Sequence, residues 1–222
     1  MEKINNVILD GVGAAVVGKV GIIADLHIGM EEMLNVRVQT REMLRNVKYL
    51  IEKYSLESII INGDLKHGFD KSRKQEWEEI RYFVDELKKR VEVNVVKGNH
   101  DFYIENIMND RTYDYIDVGD VRITHGHKLV DYKSMLIIGN EHPTIKIRDE
   151  VGAYMVYRCF VYFESKRVLV LPAFNPLSKG NNILNNSFIS PVLEDANINE
   201  AYVYAIEEGD VFSLGQVKSI FK

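Results

Sequence analysis

Apolar residues fall along this chain in two kinds of pattern, and the change from one to the other divides it in half. In the first half, short runs rich in Val and Ile alternate with longer stretches at helix spacing. Val20-Gly21-Ile22-Ile23-Ala24 and Ser58-Ile59-Ile60-Ile61-Asn62 read as buried strands, and Val91 to Val96 reads as a third. Between them, Glu31 to Tyr54 predicts a helical region with Leu44, Val47, Leu50 and Ile51 at helix spacing. Arg73 to Arg90 predicts a second helix, whose apolar stripe is Trp77, Ile80, Val84 and Leu87.

The second half reads as antiparallel strands. Tyr113 to Asp117 and Val121 to Thr124 flank a Val118-Gly119-Asp120 turn, and Met135 to Ile138 is a further apolar run. Tyr154 to Phe163 and Val168 to Leu171 flank the polar Glu164-Ser165-Lys166-Arg167 turn. Ala201 to Ile206 and Val211 to Leu214 flank Glu207-Glu208-Gly209-Asp210. A β-α-β-α-β half joined to a β-rich half predicts an α/β fold of two packed sheets with helices outside. There is no repeat, low-complexity tract or Pro-rich linker, so the 222 residues are expected to form one domain, 1–222.

Composition narrows the function. A formal net charge of −5 argues against a chain that coats nucleic acid, yet leaves a nuclease open. The basic clusters Lys71-Ser72-Arg73-Lys74 and Lys88-Lys89-Arg90 have acidic neighbours and read as solvated helix faces. The one cysteine, Cys159, excludes a disulfide framework and sits in an apolar strand pattern, as a packed core residue does. No apolar run is long enough to span a membrane, and Met1-Glu2-Lys3-Ile4-Asn5-Asn6 lacks the zones of a signal peptide, so a cytoplasmic home is expected. Ile183, Leu184, Phe188 and Ile189 lie in an Asn-rich segment that reads as a loop folded back on the core.

The six histidines carry the chemistry. His27, His67, His100, His125, His127 and His142 all fall at the C-terminal end of a strand pattern or just after it, where open α/β sheets build ligand sites. Asp25-Leu26-His27 follows the first strand, Gly63-Asp64 the second and Gly98-Asn99-His100-Asp101 the third. Thr124-His125-Gly126-His127 closes a hairpin strand, and Gly139-Asn140-Glu141-His142 follows the next apolar run. In an extended segment i and i+2 face one way, so Asp25 with His27, and Asn140 with His142, are expected to reach one point. The glycines before Asp64, Asn99 and Asn140 are expected to make tight turns. A set of carboxylate, amide and imidazole without thiolate suits divalent Mn, Fe or Zn. Two such ions about 3.5–4 Å apart clamp a phosphoryl group and activate a bridging hydroxide. Each block alone is commonplace; the ordered set of five is not.

That ordered set resembles the calcineurin-like metallophosphoesterase superfamily, whose signature runs DxH, GDxxx, GNHD/E, H, GHxH. Gly63-Asp64-Leu65-Lys66-His67, Glu141-His142-Pro143 and Leu171-Pro172-Ala173-Phe174-Asn175-Pro176 look more narrowly like the prokaryotic ICC-like phosphoesterases, some of which are linked to DNA repair. The resemblance implies a four-layer α/β/β/α sandwich and two divalent metal ions, manganese first, with iron, zinc or nickel as alternatives. It implies that Asp25, His27 and His142 hold one ion, that Asp64 bridges, and that Asn99 and His125 hold the other. His100 would stand over the attacked phosphate, and Asp101 would orient its ring. Asn140 departs from the pattern, which has histidine there, so a weaker second ion is expected. His67 and His127 are extra to the set: each is a substrate contact or a plain loop residue, and Tyr103 a loop aromatic.

The implied activity is phosphate-ester hydrolysis through a metal-bridging hydroxide, on DNA or a nucleotide as a phosphodiesterase or nuclease. A phosphomonoesterase acting on a small metabolite or phosphoprotein is the alternative. A catalytically impaired scaffold is the third reading, and the retained His100 speaks against it.

Overall fold

A computed structural model describes residues 2–30, 38–68, 74–148 and 152–220. Two sheets pack face to face. The first has six strands in chain order: β1 (Glu2–Ile4), β2 (Val7–Asp10), β3 (Ala14–Val17), β4 (Val20–Ile23), β5 (Ser58–Asn62) and β6 (Glu92–Val96). Strands β1 to β4 form an antiparallel meander, whereas β4, β5 and β6 are parallel. Their crossovers are α1 (Gln39–Tyr54) and α2 (Lys74–Lys88). After α3 (Ile104–Met108) the chain builds a nine-stranded sheet from β7 (Ile116–Val118), β8 (Val121–Ile123), β9 (Met135–Ile138), β10 (Pro143–Arg148), β11 (Tyr154–Phe163), β12 (Val168–Val170), β13 (Asn181–Asn182), β14 (Tyr202–Glu207) and β15 (Asp210–Gln216). The chain continues as α4 (Val217–Ile220).

Side-chain alternation explains why the central strands are apolar without interruption. Ile23, Ile59 and Ile61 point to α1 and α2, where Met43, Val47, Leu50, Ile80, Phe83 and Leu87 meet them. Ile22 and Ile60 point the other way, against Ile123, Ile137, Phe160 and Leu169 of the second sheet. A strand buried on both faces has no polar face to show. The far face of the second sheet buries Ile138, Cys159, Val161 and Phe163 against residues 183–203 and Val217.

The two-sheet α/β architecture is the one expected. Over the second sheet, among the described residues, the outer layer is built from 3₁₀ turns at Ile183–Asn185, Pro191–Leu193 and Ile198–Glu200, with the short α4. The apolar residues there come in pairs separated by Asn and Ser, too closely spaced for a long helical stripe. Phe188 packs edge-on to Phe163 at 5.6 Å, so that segment does fold back on the core, while Ile189 stays exposed. Strands β1, β2, β3 and β10 carried no sequence expectation. Residues 31–37 of the expected first helix, and Lys71, Ser72 and Arg73, lie outside the described residues. Lys88 and Lys89 pair with Asp110 and Glu86, as a solvated helix end does.

Candidate metal centre

Parallel strands β4, β5 and β6 end side by side, and the loops after them carry Asp25 and His27, Asp64 and His67, and Asn99 and His100. The loops after β8 and β9 of the facing sheet bring His125 and His127, and Asn140 and His142. All of these except His127 converge. His27 Nε2 lies 3.2 Å from His142 Nε2, and His142 Nε2 lies 3.1 Å from Asp25 Oδ1. His125 Nε2 lies 3.3 Å from Asp64 Oδ1 and 3.2 Å from Asn99 Oδ1. His27 Nε2 and His100 Nε2 stand 3.7 and 3.8 Å from Asp64 Oδ2. His67 stacks beside His100, ring centroids 6.4 Å apart. His127 sits one ring away from His125, in a separate hollow with Lys97, Asn99, Phe102 and Lys128.

The ligand atoms converge by a different backbone route from the expected alternation. Asp25, His27, Asp64, Asn140 and His142 have φ of 57°, 43°, 49°, 68° and 46°, all in the left-handed region. The chain coils tightly at these five residues instead of running extended, a conformation that persists only where the surroundings enforce it. The enforcing bonds are visible. Backbone N–H groups of Asp25, His27 and Ile28 donate to the carbonyls of Gly63, Asp64 and Leu65. Asn140 N donates to both oxygens of Asp25, and His100 N to Asp64 Oδ1.

Of the three glycines, Gly63 alone has a left-handed φ, 78°. Gly98 is required for space: a Cβ there would lie 2.2 Å from Asp64 Oδ1. Gly139 likewise faces Asp25 Oδ2, at 2.8 Å.

The donor chemistry fits divalent cations. Among the described residues, three groups of side chains offer possible ligand atoms lying within 4.8 Å of one another: Asp25, His27 and His142; His27, Asp64 and His100; and Asp25, Asp64 and His125. His125 Nδ1 donates to the Asn62 carbonyl at 2.9 Å, and His142 Nδ1 bonds Ser178 Oγ at 2.9 Å, so both present Nε2 inward. Asn140 Nδ2 is buried and has no hydrogen-bond partner among the described residues.

Burial and neighbouring charges shift several of these groups from their ordinary values. Burial lowers the His27 pKa to about 4 against the pull of Asp25 and Asp64, so that ring is neutral, as a ligand must be. Burial also lowers His125, but the Asp64 hydrogen bond and the Asp25 and Asp64 charges outweigh it and push the pKa up to about 9. Burial raises the Asp64 carboxyl, yet the His125 contacts hold it well below the usual carboxylate range.

The sequence profile of the calcineurin-like phosphoesterases matches residues 18–198, a span that takes in every strand-end block described above. The chain belongs to the calcineurin-like phosphoesterase family. It is a hydrolase of phosphate esters, and the family's dinuclear metal centre accords with the Asp and His groups found here. Among solved structures, the Pseudomonas putida nuclease MPE aligns with TM-score 0.68 at 20% identity, covering 94% of both chains, which establishes a shared fold. The E. coli phosphoesterase Yfce aligns at TM-score 0.43 and 13% identity, over 85% of this chain and 88% of that one, too loosely to argue from. No curated protein sequence matches.

Several residues of this phosphoesterase centre carried no sequence expectation. Glu76 of α2 is fully buried, and its Oε1 accepts from His67 N and Gly68 N, fixing the loop after β5. Asn175 is fully buried and donates to Leu26 O at 2.8 Å, so the Leu171–Pro176 block braces the Asp25 loop. Glu141 accepts from Ile189 N and Ser190 N, which closes the 189–190 segment over the cleft. Asp101 proves to be a brace too. Its carboxylate accepts from Lys66 N and Gly98 N, while the His100 ring is oriented by the His67 carbonyl at 2.8 Å. The expected Asp101–His100 pairing is therefore replaced by a backbone contact. Among the described residues no helix is long and apolar enough to cross a membrane.

Proposed function

We propose that this phosphoesterase cleaves phosphodiesters of nucleic acid, as a nuclease, using two divalent ions of which manganese is the first choice. Asp25, His27 and His142 would hold one ion, Asp64 would bridge, and Asn99 and His125 would hold the other with Asn140 beside them. Oxygen and nitrogen donors in this proportion, with an amide where an imidazole is usual, favour an oxygen-tolerant ion. Bound there, the ions would supply Lewis-acid charge to the phosphoryl oxygens and make a neutral-pH nucleophile of water.

The remaining work falls to the chain. With Nδ1 given to the His67 carbonyl, His100 turns Nε2 into the cleft beside Asp64. From there it would stabilise the charge building on the phosphoryl oxygens and protonate the leaving oxygen. Lys179 lies on the exposed rim of the cleft and would draw the substrate's charge in.

One observation carries the diester reading: Asn99 lines both the main cleft, a space of about 430 Å³, and the hollow of about 360 Å³ beside it. A phosphate held at the metals would have room on two sides, which a diester needs and a monoester does not. The shared fold with a bacterial nuclease supports the same reading.

The test is hydrolysis of bis-p-nitrophenyl phosphate against p-nitrophenyl phosphate with manganese. The diester is expected to be favoured in kcat/KM by about tenfold or more, the scale set by one extra substrate group. His100→Ala is expected to lower kcat by about 10²–10³-fold with metal content intact. Preference for the monoester overturns the diester reading, and no turnover of either would leave the scaffold reading standing. A fast His100→Ala enzyme removes His100 from the chemistry.

A further inference from the structure

The hollow beyond Asn99 has features that hydrolysis at the metals does not use. Its lining is Lys97, Gly98, Asn99, Phe102, Asp114, His127 and Lys128. Phe102 directly follows the Gly98–Asp101 block, and 53% of it is exposed although it is a full aromatic ring. Stability gives no reason for that exposure: its neighbours Ile104 and Ile107 are buried in the core, and Phe102 is not among the residues packed there. Two lysines line the same hollow as the ring. Lys128 is exposed, and Lys97 meets Glu105 only at 3.9 Å, a loose pair worth little in water. Asp114 adds a single carboxylate, so the hollow is not a plain anion sink.

We propose that this hollow is a nucleotide subsite, in which Phe102 stacks on the base next to the scissile phosphate while Lys97 and Lys128 hold the adjoining phosphate. The inference rests on the phosphodiesterase reading and extends it to a substrate class, single-stranded nucleic acid. An exposed aromatic face beside ammonium groups is the combination that holds unpaired bases without reading their sequence, because every base has a π face. The ring is unavailable to a base stacked inside a duplex, which is why the strand must be single. Asp114 and the His127 imidazole offer polar atoms to the base edge, a role that inorganic phosphate or a bare monoester would leave unused. A volume of about 360 Å³ lies within the range of small-ligand sites. Continuity through Asn99 gives the path, since the strand leaving the metals enters the hollow at the residue that lines both.

The experiment measures binding, so it does not depend on turnover. The probe is a fluorescein-labelled hexathymidylate with phosphorothioate linkages, titrated by anisotropy into the manganese-loaded protein. Phe102→Ala is expected to weaken binding about tenfold, within the range of one lost base stack. Lys97→Ala with Lys128→Ala is expected to weaken it and to reduce the salt slope by about two. Tyr82→Ala, an exposed aromatic on α2, is the control and should bind as wild type does. Equal binding by Phe102→Ala, or an equal loss in Tyr82→Ala, overturns the subsite. So does a labelled hexaglutamate peptide that binds as well and loses as much in Phe102→Ala, which would make the occupant an acidic protein segment. A wild-type protein that binds the oligonucleotide through Phe102 but hydrolyses no diester would retain the subsite and defeat the phosphodiesterase reading instead.

Discussion

The two sheets contribute unequally to the centre. The loops after β4, β5 and β6 bring both inward-facing carboxylates, Asp25 and Asp64, together with His27, Asn99 and His100. The loops after β8 and β9 bring His125, Asn140 and His142, and the Glu141 carboxylate between the last two is turned away to the amides of Ile189 and Ser190. In the proposed centre the first sheet would supply the carboxylate charge that fixes where cations go, and the second would supply imidazole and amide donors that complete each site. A fault at Asp64, the one residue placed to bridge, should disturb both ions, and a fault at His125 on the second side should disturb one.

The largest test of that division is Asp64→Asn. It is expected to lower turnover by about 10³-fold or more, since several kcal/mol of transition-state charge stabilisation pass through the ions it would bridge. Metal analysis should show both ions depleted, whereas His125→Ala should deplete one; two tightly held ions in Asp64→Asn would erase the distinction. Asn140→His should sharpen it. Calorimetric titration is expected to give unequal sites in the wild type, and tightening of the weaker by about tenfold, one 1.4 kcal/mol step, in the variant. Two equally tight sites in the wild type would show that Asn140 costs nothing. The smallest effect is expected from Ser178→Ala. Partners of ligating histidines are worth about 10–100-fold, but the His142 side chain is 22% exposed and water can replace the hydroxyl, so about threefold weaker metal binding is expected.

The two halves also differed in how far the sequence disclosed them. Strands β4 and β5 were legible because burial on both faces leaves a Val- and Ile-rich run, β6 because Val93, Val95 and Val96 mark it, and the Asp, Asn and His blocks sit where those runs stop. The meander β1 to β3 was not, because strands of three or four residues joined at Asn5-Asn6 and Gly11-Val12-Gly13 are too short to show a period. Strand β10 was hidden behind Pro143 and an Asp- and Arg-bearing continuation. At the site, residue types in order pointed to the Asp, Asn and His residues that the fold brings together. Their supports were not legible: Glu76 looks like an ordinary surface polar residue until the fold buries it, and Asn175 and Glu141 stood inside quoted blocks with no bracing role to be read from them.

The left-handed backbone at five of these residues has a consequence for which substitutions the centre can accept. Outside glycine, that conformation is held most readily by Asn, Asp and His. Those are the three residue types found at the five positions, at 25, 27, 64, 140 and 142. Backbone and metal chemistry therefore draw on one short vocabulary. Within it a ligand can be exchanged while the loop keeps its shape, and Asn for His at 140, with φ of 68°, is such an exchange. Glutamate in place of Asp25 or Asp64 would keep the charge and lose the coil, so a change that looks conservative by charge would be the less tolerated one.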